Sequence, residues 1–246
     1  LDINASQLVT NIQSYYNQQQ NTVAVLREDT GIKKYLSTYY LTGVDSLESY
    51  LEYAAPVINR FKSTGGTVIK IFSSNPTVNI SSETNNLVSE LPQYSWFDPQ
   101  STSRYNWNAA ESINNGLSHK YIVCYWTDRE AYEKKVKQVI AVFTDNDQIH
   151  SMFASSMSVD TKVFLVDGGG KILSSTEDIG YSQKIYDLKD DFGNPYPDIK
   201  DHDIVTIGFK KYIAIAKEIE GANDITDNWQ LLCFVPYGSV SATLGS

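Results

Sequence analysis

Val163-Phe-Leu-Val-Asp-Gly-Gly-Gly-Lys-Ile-Leu-Ser-Ser175 reads as a buried strand, a glycine turn and a returning strand. A four-residue apolar run stops at Asp167. Gly168 to Gly170 can supply the positive φ of a tight turn, and Ile172 and Leu173 resume the apolar pattern. Near the end, Trp229-Gln-Leu-Leu-Cys-Phe-Val-Pro236 reads as another strand, closed by a proline that cannot donate to a ladder.

Working outward, the chain has 246 residues, enough for one large domain or two modest ones. With 41% hydrophobic residues and 12% aromatics it can bury a core, which excludes wholesale disorder. Tyrosine dominates the aromatics, 17 against 9 Phe and 4 Trp, and such amphipathic rings suit half-buried sheet faces and polar pockets. A net charge of −9 argues against nucleic acid or an anionic membrane as electrostatic partners. No apolar run is long enough to span a bilayer, and no signal peptide is recognisable. Cys124 and Cys233 each sit inside an apolar run. Spacing leaves open whether they are bridged or are two buried thiols.

The first 40 residues carry helical periodicity at Leu8, Ile12, Tyr15, Val23 and Leu26, with neither Pro nor Gly before Gly31. One helix of about 30 residues would extend roughly 45 Å; two shorter helices broken near Gly31 is the alternative. A second helix is expected from Ser46, capped by Asp45 or Ser46. Its inward face would carry Leu47, Leu51, Ala54, Val57, Ile58 and Phe61, and Gly65-Gly66 would end it. Val68–Phe72 is a short strand, Thr77–Glu90 has loop composition, and Tyr121–Trp126 and Val139–Phe143 are two more strands around a charged turn. A short helix around Ile149–Met157 precedes the glycine hairpin. A polar region from Ser174 to Asp203, a strand pair near Val205–Phe209 and Tyr212–Ile219, and a turn at Asp224–Asn228 follow.

The hairpin's form (apolar strand, Asp, Gly turn, Lys, apolar strand, Ser) and the Trp-bearing strand ending at Pro236 resemble the membrane-proximal half of a double Cache domain. That domain is the extracellular PAS-like sensor of bacterial histidine kinases and chemoreceptors. The resemblance covers essentially the whole chain by order of elements. It implies an α+β fold with a long N-terminal spine helix over 1–44, a membrane-distal PAS-like module over 45–148 and a membrane-proximal one over 149–246. Both modules would be antiparallel β-sheets.

Catalytic readings fare poorly. His119, His150 and His202 form no ligand-spaced pair, and no nucleophile elbow is present. Gly168-Gly169-Gly170-Lys171 is followed by Ile and not by Ser or Thr, in a strand context, which argues against a phosphate loop. Asp187 to Asp203 gathers six aspartates without the alternation of a calcium loop, so a solvated loop is expected. No catalytic residue, metal site or cofactor is expected.

The aromatic cluster Tyr94, Trp96, Phe97, Tyr105 and Trp107, with Tyr125 and Asp145 from the neighbouring strands, is the candidate ligand site. Rings beside a few polar groups make a pocket that stacks and orients a small molecule; the competing reading is that these rings roof a core. In the amino-acid-binding subset of the resembled family, an Arg two residues before a Trp-Tyr pair clamps the ligand carboxylate. A strand Asp there holds the amine. Trp96-Phe97 looks like the aromatic pair. The Arg position falls on Tyr94, and the Asp position on Phe143, or on Asp145 with a two-residue shift. Losing a bidentate cation is not conservative. The departure from that pattern argues against an amino acid, and a neutral or sugar-like ligand, or no small ligand, is expected in its place; the stimulus is a small molecule or a partner protein.

The expectation is the extracytoplasmic sensor region of a bacterial transmembrane histidine kinase, non-enzymatic itself. It would be flanked by membrane helices and homodimeric in the full-length receptor. A chemoreceptor ectodomain and a free extracellular binding module are the alternatives.

Overall fold

A computed structural model describes residues 2–62, 67–78, 84–114, 117–179, 183–220 and 229–239. Gly65-Gly66 and the turn at Asp224–Asn228 lie outside the described residues. The chain divides into two compact units, residues 17–145 and residues 1–16 with 146–246. The second boundary follows the end of a strand at Asp145, three residues before the expected one. The N-terminal helix is not a separate segment, because its residues are shared between the units.

Helix α1 (Asp2–Glu28) is followed at once by α2 (Thr30–Ser37). The break falls at Asp29, two residues before the glycine. Asp29 is extended and its carboxylate accepts from the Ile32 amide, an N-cap that competes with helix continuation. Gly31 is needed for a different reason: a Cβ there would lie 2.6 Å from the Tyr53 carbonyl oxygen.

The second helical stretch starts earlier than expected. Thr42 caps it by accepting from the Asp45 amide, and α3 spans Gly43–Ser49. A π-turn at Tyr50–Ala54 leads into α4 (Ala55–Lys62). Pro56 lacks an N–H and its ring crowds the preceding turn, and a wider turn just before it relieves that clash. The buried positions are Ser46, Tyr50, Ala54, Ala55 and Ile58. Leu47 and Leu51 are exposed, contrary to the sequence reading. The extra residue of the π-turn rotates everything before it relative to α4, so the apolar positions do not share one face.

In the 17–145 unit, strands β1 (Thr67–Ser73), β2 (Asn85–Leu87), β3 (Asn106–Asn114), β4 (Leu117–Arg129) and β5 (Val136–Asp145) form a sheet of order β2-β1-β5-β4-β3. All its pairs are antiparallel except β1 with β2. The segment read as a loop thus holds β2 and a 3-10 turn at Val88–Gln93. The central strands read as continuous apolar runs because both faces are covered. One face carries Ile69, Ile71, Cys124, Ile140 and Val142 against Val23, Leu26, Ile32, Tyr35 and Ile58 of the helices. The opposite face carries Phe72, Val123, Tyr125, Val139, Ala141 and Phe143, covered by Leu91 and Trp96.

In the other unit, α5 (Asn146–Ser156) precedes β6 (Lys162–Val166), β7 (Ile172–Ser175), β8 (Ile204–Ile207), β9 (Lys210–Ile219) and β10 (Trp229–Pro236). The sheet order is β7-β6-β10-β9-β8, every pair antiparallel. The glycine hairpin turns as expected: the Asp167 carboxylate accepts from the Gly169 and Lys171 amides, and Gly170 has φ +80°. Tyr16 of α1 meets Trp229 of β10 edge to face at 4.7 Å, and Gln13 donates to the Glu220 carbonyl. The acidic loop is tied down by its own chemistry. Asp190 accepts from the amides of Phe192, Asn194 and Gly208, while Ile185 and Leu188 are buried against the sheet. The result is an α+β fold with two five-stranded sheets.

Candidate ligand-binding site

Trp96 is the hub of the covered face, 3% exposed. Its ring centroid lies 5.2 Å from Tyr125, 5.3 Å from Phe143, 5.6 Å from Tyr94, 5.9 Å from Phe72 and 6.1 Å from Phe97. Most of these pairs are edge to face, the arrangement that aligns positive ring edges with negative faces. Two hydrogen bonds fix the segment on the sheet. The Asn108 side-chain amide of β3 donates to the Trp96 carbonyl, and the Asp98 amide donates to the Tyr125 hydroxyl at 2.9 Å. The 3-10 turn positions Tyr94, which closes it by donating its amide to the Leu91 carbonyl.

The structure brings together Tyr94, Trp96, Phe97 and Tyr125 but not the whole expected cluster. Tyr105 and Trp107 pack against the helix-covered face. Trp107 opposes Cys124 in the β3–β4 register, and alternation along the strand sends it to that side. Adjacency in sequence hides this, because β3 is too polar to read as a strand. Asp145 ends β5 opposite Tyr121 of β4. The Tyr121 phenol is held above its ordinary value by its own burial first and then by the Asp145 charge. Phe72 and Asn108 were missed. Phe72 reaches this face through the pairing of β1 with β5, and nothing in the sequence marks Asn108.

Tyr94 and Phe97 are half-buried, as is Tyr121, so these rings offer surface to solvent. Burial, then Glu90, raises the Tyr94 phenol, and burial pushes Tyr125 up to about 12. The hydroxyls are therefore neutral donors and acceptors at physiological pH. Cationic charge reaches the cluster from two sides: the Lys70 ammonium lies 5.5 Å from the Tyr94 ring centroid, and the Arg129 guanidinium acts on the Tyr125 phenol. Such a surface can stack a ring or an aliphatic face and hydrogen-bond hydroxyl groups.

Elsewhere, Cys124 and Cys233 are free and buried, one in each unit. Among the described residues, no group of three or more His, Cys, Asp or Glu is placed to hold a metal ion. No helix among them is long and apolar enough to cross a membrane.

The fold has solved relatives. The ligand-binding domain of the Pseudomonas aeruginosa amino-acid chemoreceptor PctB, in complex with L-Arg, is similar at TM-score 0.64, 13% identity and coverage of 100% of this chain and 90% of that one. What the two share is the fold, double Cache-like and α+β. The ligand-binding domain of the Pseudomonas fluorescens chemoreceptor CtaA with L-isoleucine matches at TM-score 0.62 and 13% identity, over 97% of this chain and 91% of that one. That of Campylobacter jejuni Tlp3 with L-valine matches at 0.54 and 10%, over 96% and 91%. No family model and no curated protein matches the chain.

Proposed function

We propose that the chain is the extracytoplasmic signal-sensing region of a bacterial transmembrane receptor, with sensor histidine kinase as its output. The observation that carries the sensing role is the likeness to receptor ligand-binding domains across nearly the full length of both chains. The 17–145 unit takes the ligand at Tyr94, Phe97 and Tyr121, over the Trp96–Tyr125–Phe143 layer. Binding biases two arrangements of this sheet against its helices, by no more than the ligand's difference in affinity for the two. In the full-length receptor the chain pairs with a second copy, aided by membrane tethering.

The ligand is neutral and hydroxyl-bearing. Tyr94 and Phe143, the positions that align with the charged clamps of the resembled family, are rings in contact with Trp96 that carry no charge, and the Lys70 ammonium is already engaged with the Tyr94 ring while Asp145 lies beside Tyr121.

A chemoreceptor output is the second reading, favoured by the named neighbours, which are chemoreceptor domains. The reading frame beyond Ser246 tests both. A membrane helix followed by a phosphoacceptor and ATP-binding transmitter is expected; a long methyl-accepting helical hairpin supports the second reading. A stop codon directly after the last strand would contradict both.

A further inference from the structure

The face of α3 that sequence periodicity assigns to the core is turned to solvent. Val44, Leu47 and Leu51 follow one another at three- and four-residue steps, and all three are exposed. The segment before the helix adds Tyr39 and Leu41, the latter 90% exposed. Inward positions on the same stretch are Ser46, Tyr50 and Ala54, so the helix is already anchored without its leucines. Exposed apolar side chains in a row carry a free-energy cost in a monomer and mark an interaction surface.

A second row runs beside the first. Asp45, Glu48 and Glu52 repeat the same spacing one residue later, and all are exposed. One residue corresponds to about 100° of helix rotation, so the carboxylates flank the apolar row along its length. No Lys or Arg occurs between Gly43 and Ile58; the Lys34 ammonium, seated over the Tyr53 ring, acts on Glu52 at one end of the row.

We propose that this stripe is a docking surface for a cationic amphipathic helix, a peptide or protein segment with aliphatic residues on one side and Lys or Arg along its flank. The apolar row supplies burial and the carboxylate row supplies charge complementarity and register. A second copy of this chain fits badly, because pairing two such stripes would set like-charged rows along one seam in a protein already at −9. The surface is distinct from the aromatic cluster, so it does not depend on the ligand reading above.

The test is calorimetric titration of the whole chain with two synthetic Lys/Leu peptides of identical composition. One is ordered to form an amphipathic helix; the other is scrambled so that no face is apolar. The ordered peptide is expected to bind at least about tenfold more tightly, since burying even part of two leucines is worth that much. The double variant Leu47→Ser with Leu51→Ser should erase the preference. Glu48→Gln with Glu52→Gln should weaken binding of the ordered peptide and flatten its salt dependence. These side chains face solvent, so unchanged circular dichroism is expected, and Val44→Ser gives an independent reading of the same row. Equal affinity for the two peptides, or a preference untouched by the serine variants, would overturn the proposal. So would a concentration-dependent dimer that the same serines dissolve.

Discussion

Phe143 meets Trp96 edge to face, centroids 5.3 Å apart and planes at 89°. That contact makes the end of a central strand part of an aromatic layer. It follows that Trp96 is a core residue, and in the proposed site the contact with ligand falls to the more exposed rings beside it. Replacing Trp96 with Ala should cost about 3–5 kcal/mol, read as a lowered denaturant midpoint. Tyr94→Phe, which keeps the ring, should cost far less. A small effect of Trp96→Ala would show that the indole does not carry this face.

His202 holds Asp2 of α1 through Nε2 at 2.8 Å and Asp201 through Nδ1 at 2.9 Å, while Lys217 reaches Asp2 at 2.8 Å. Both ring nitrogens face carboxylates, so the imidazolium is the favoured form. Asp2, then the charge of Asp201, raises the His202 pKa above 6.5. This group's stabilisation is full below 6.5 and is lost as pH rises through the raised value. Lys217, then His202, lowers Asp2 from 3.8 to about 2, so its share is full above 3.8 and is lost as pH falls through about 2. The clasp is thus strongest between those limits. His202→Asn, chosen because Asn tolerates the φ of +66° here, should lower the melting midpoint most near about pH 5 and least in alkali. An equal loss at both would contradict a charge-based clasp.

Burial raises the Cys124 thiol well above its ordinary value and pushes Cys233 up to about 12. Thiolate is the reactive form, so neither should react with an aromatic disulfide reagent in the folded protein at mildly alkaline pH. Both should react in guanidinium. Rapid labelling of the native chain would contradict their burial.

Gly170→Ala places a Cβ 2.4 Å from Cε2 of Tyr186 and forces a side chain into φ +80°. Tyr186 is exposed and can swing aside, so the backbone term dominates and a loss of about 1–2 kcal/mol is expected. Gly169→Ala, whose Cβ meets Asp167 Oδ1 at 3.4 Å, should be milder. Comparable losses would remove the special role of Gly170.

The hairpin at Asp167–Lys171 and the strands carrying Tyr121–Trp126, Val139–Phe143 and Trp229–Val235 were legible, because buried runs bounded by turn residues have few other readings. Strand β3 was not: Asn106 to Asn114 is largely polar, and its tryptophan looked like a neighbour of Trp96 when it faces the other way. The orientation of Leu47 and Leu51 was hidden by the π-turn, since a fixed 3.6-residue period cannot anticipate an inserted residue. Tyr94, Trp96 and Phe97 were legible as a cluster. That Phe72 and Phe143 complete it depends on β1 and β5 pairing, a long-range fact with no local signature.

The sensing role is tested most directly by the melting midpoint of the purified chain across neutral saccharides and polyols, zwitterionic amino acids, carboxylates and divalent cations. A neutral hydroxyl-bearing compound should raise the midpoint, and Tyr94→Ser should abolish that rise while leaving the unliganded protein folded. A rise produced by an L-amino acid, undiminished in Tyr94→Ser, would contradict both the ligand class and its place.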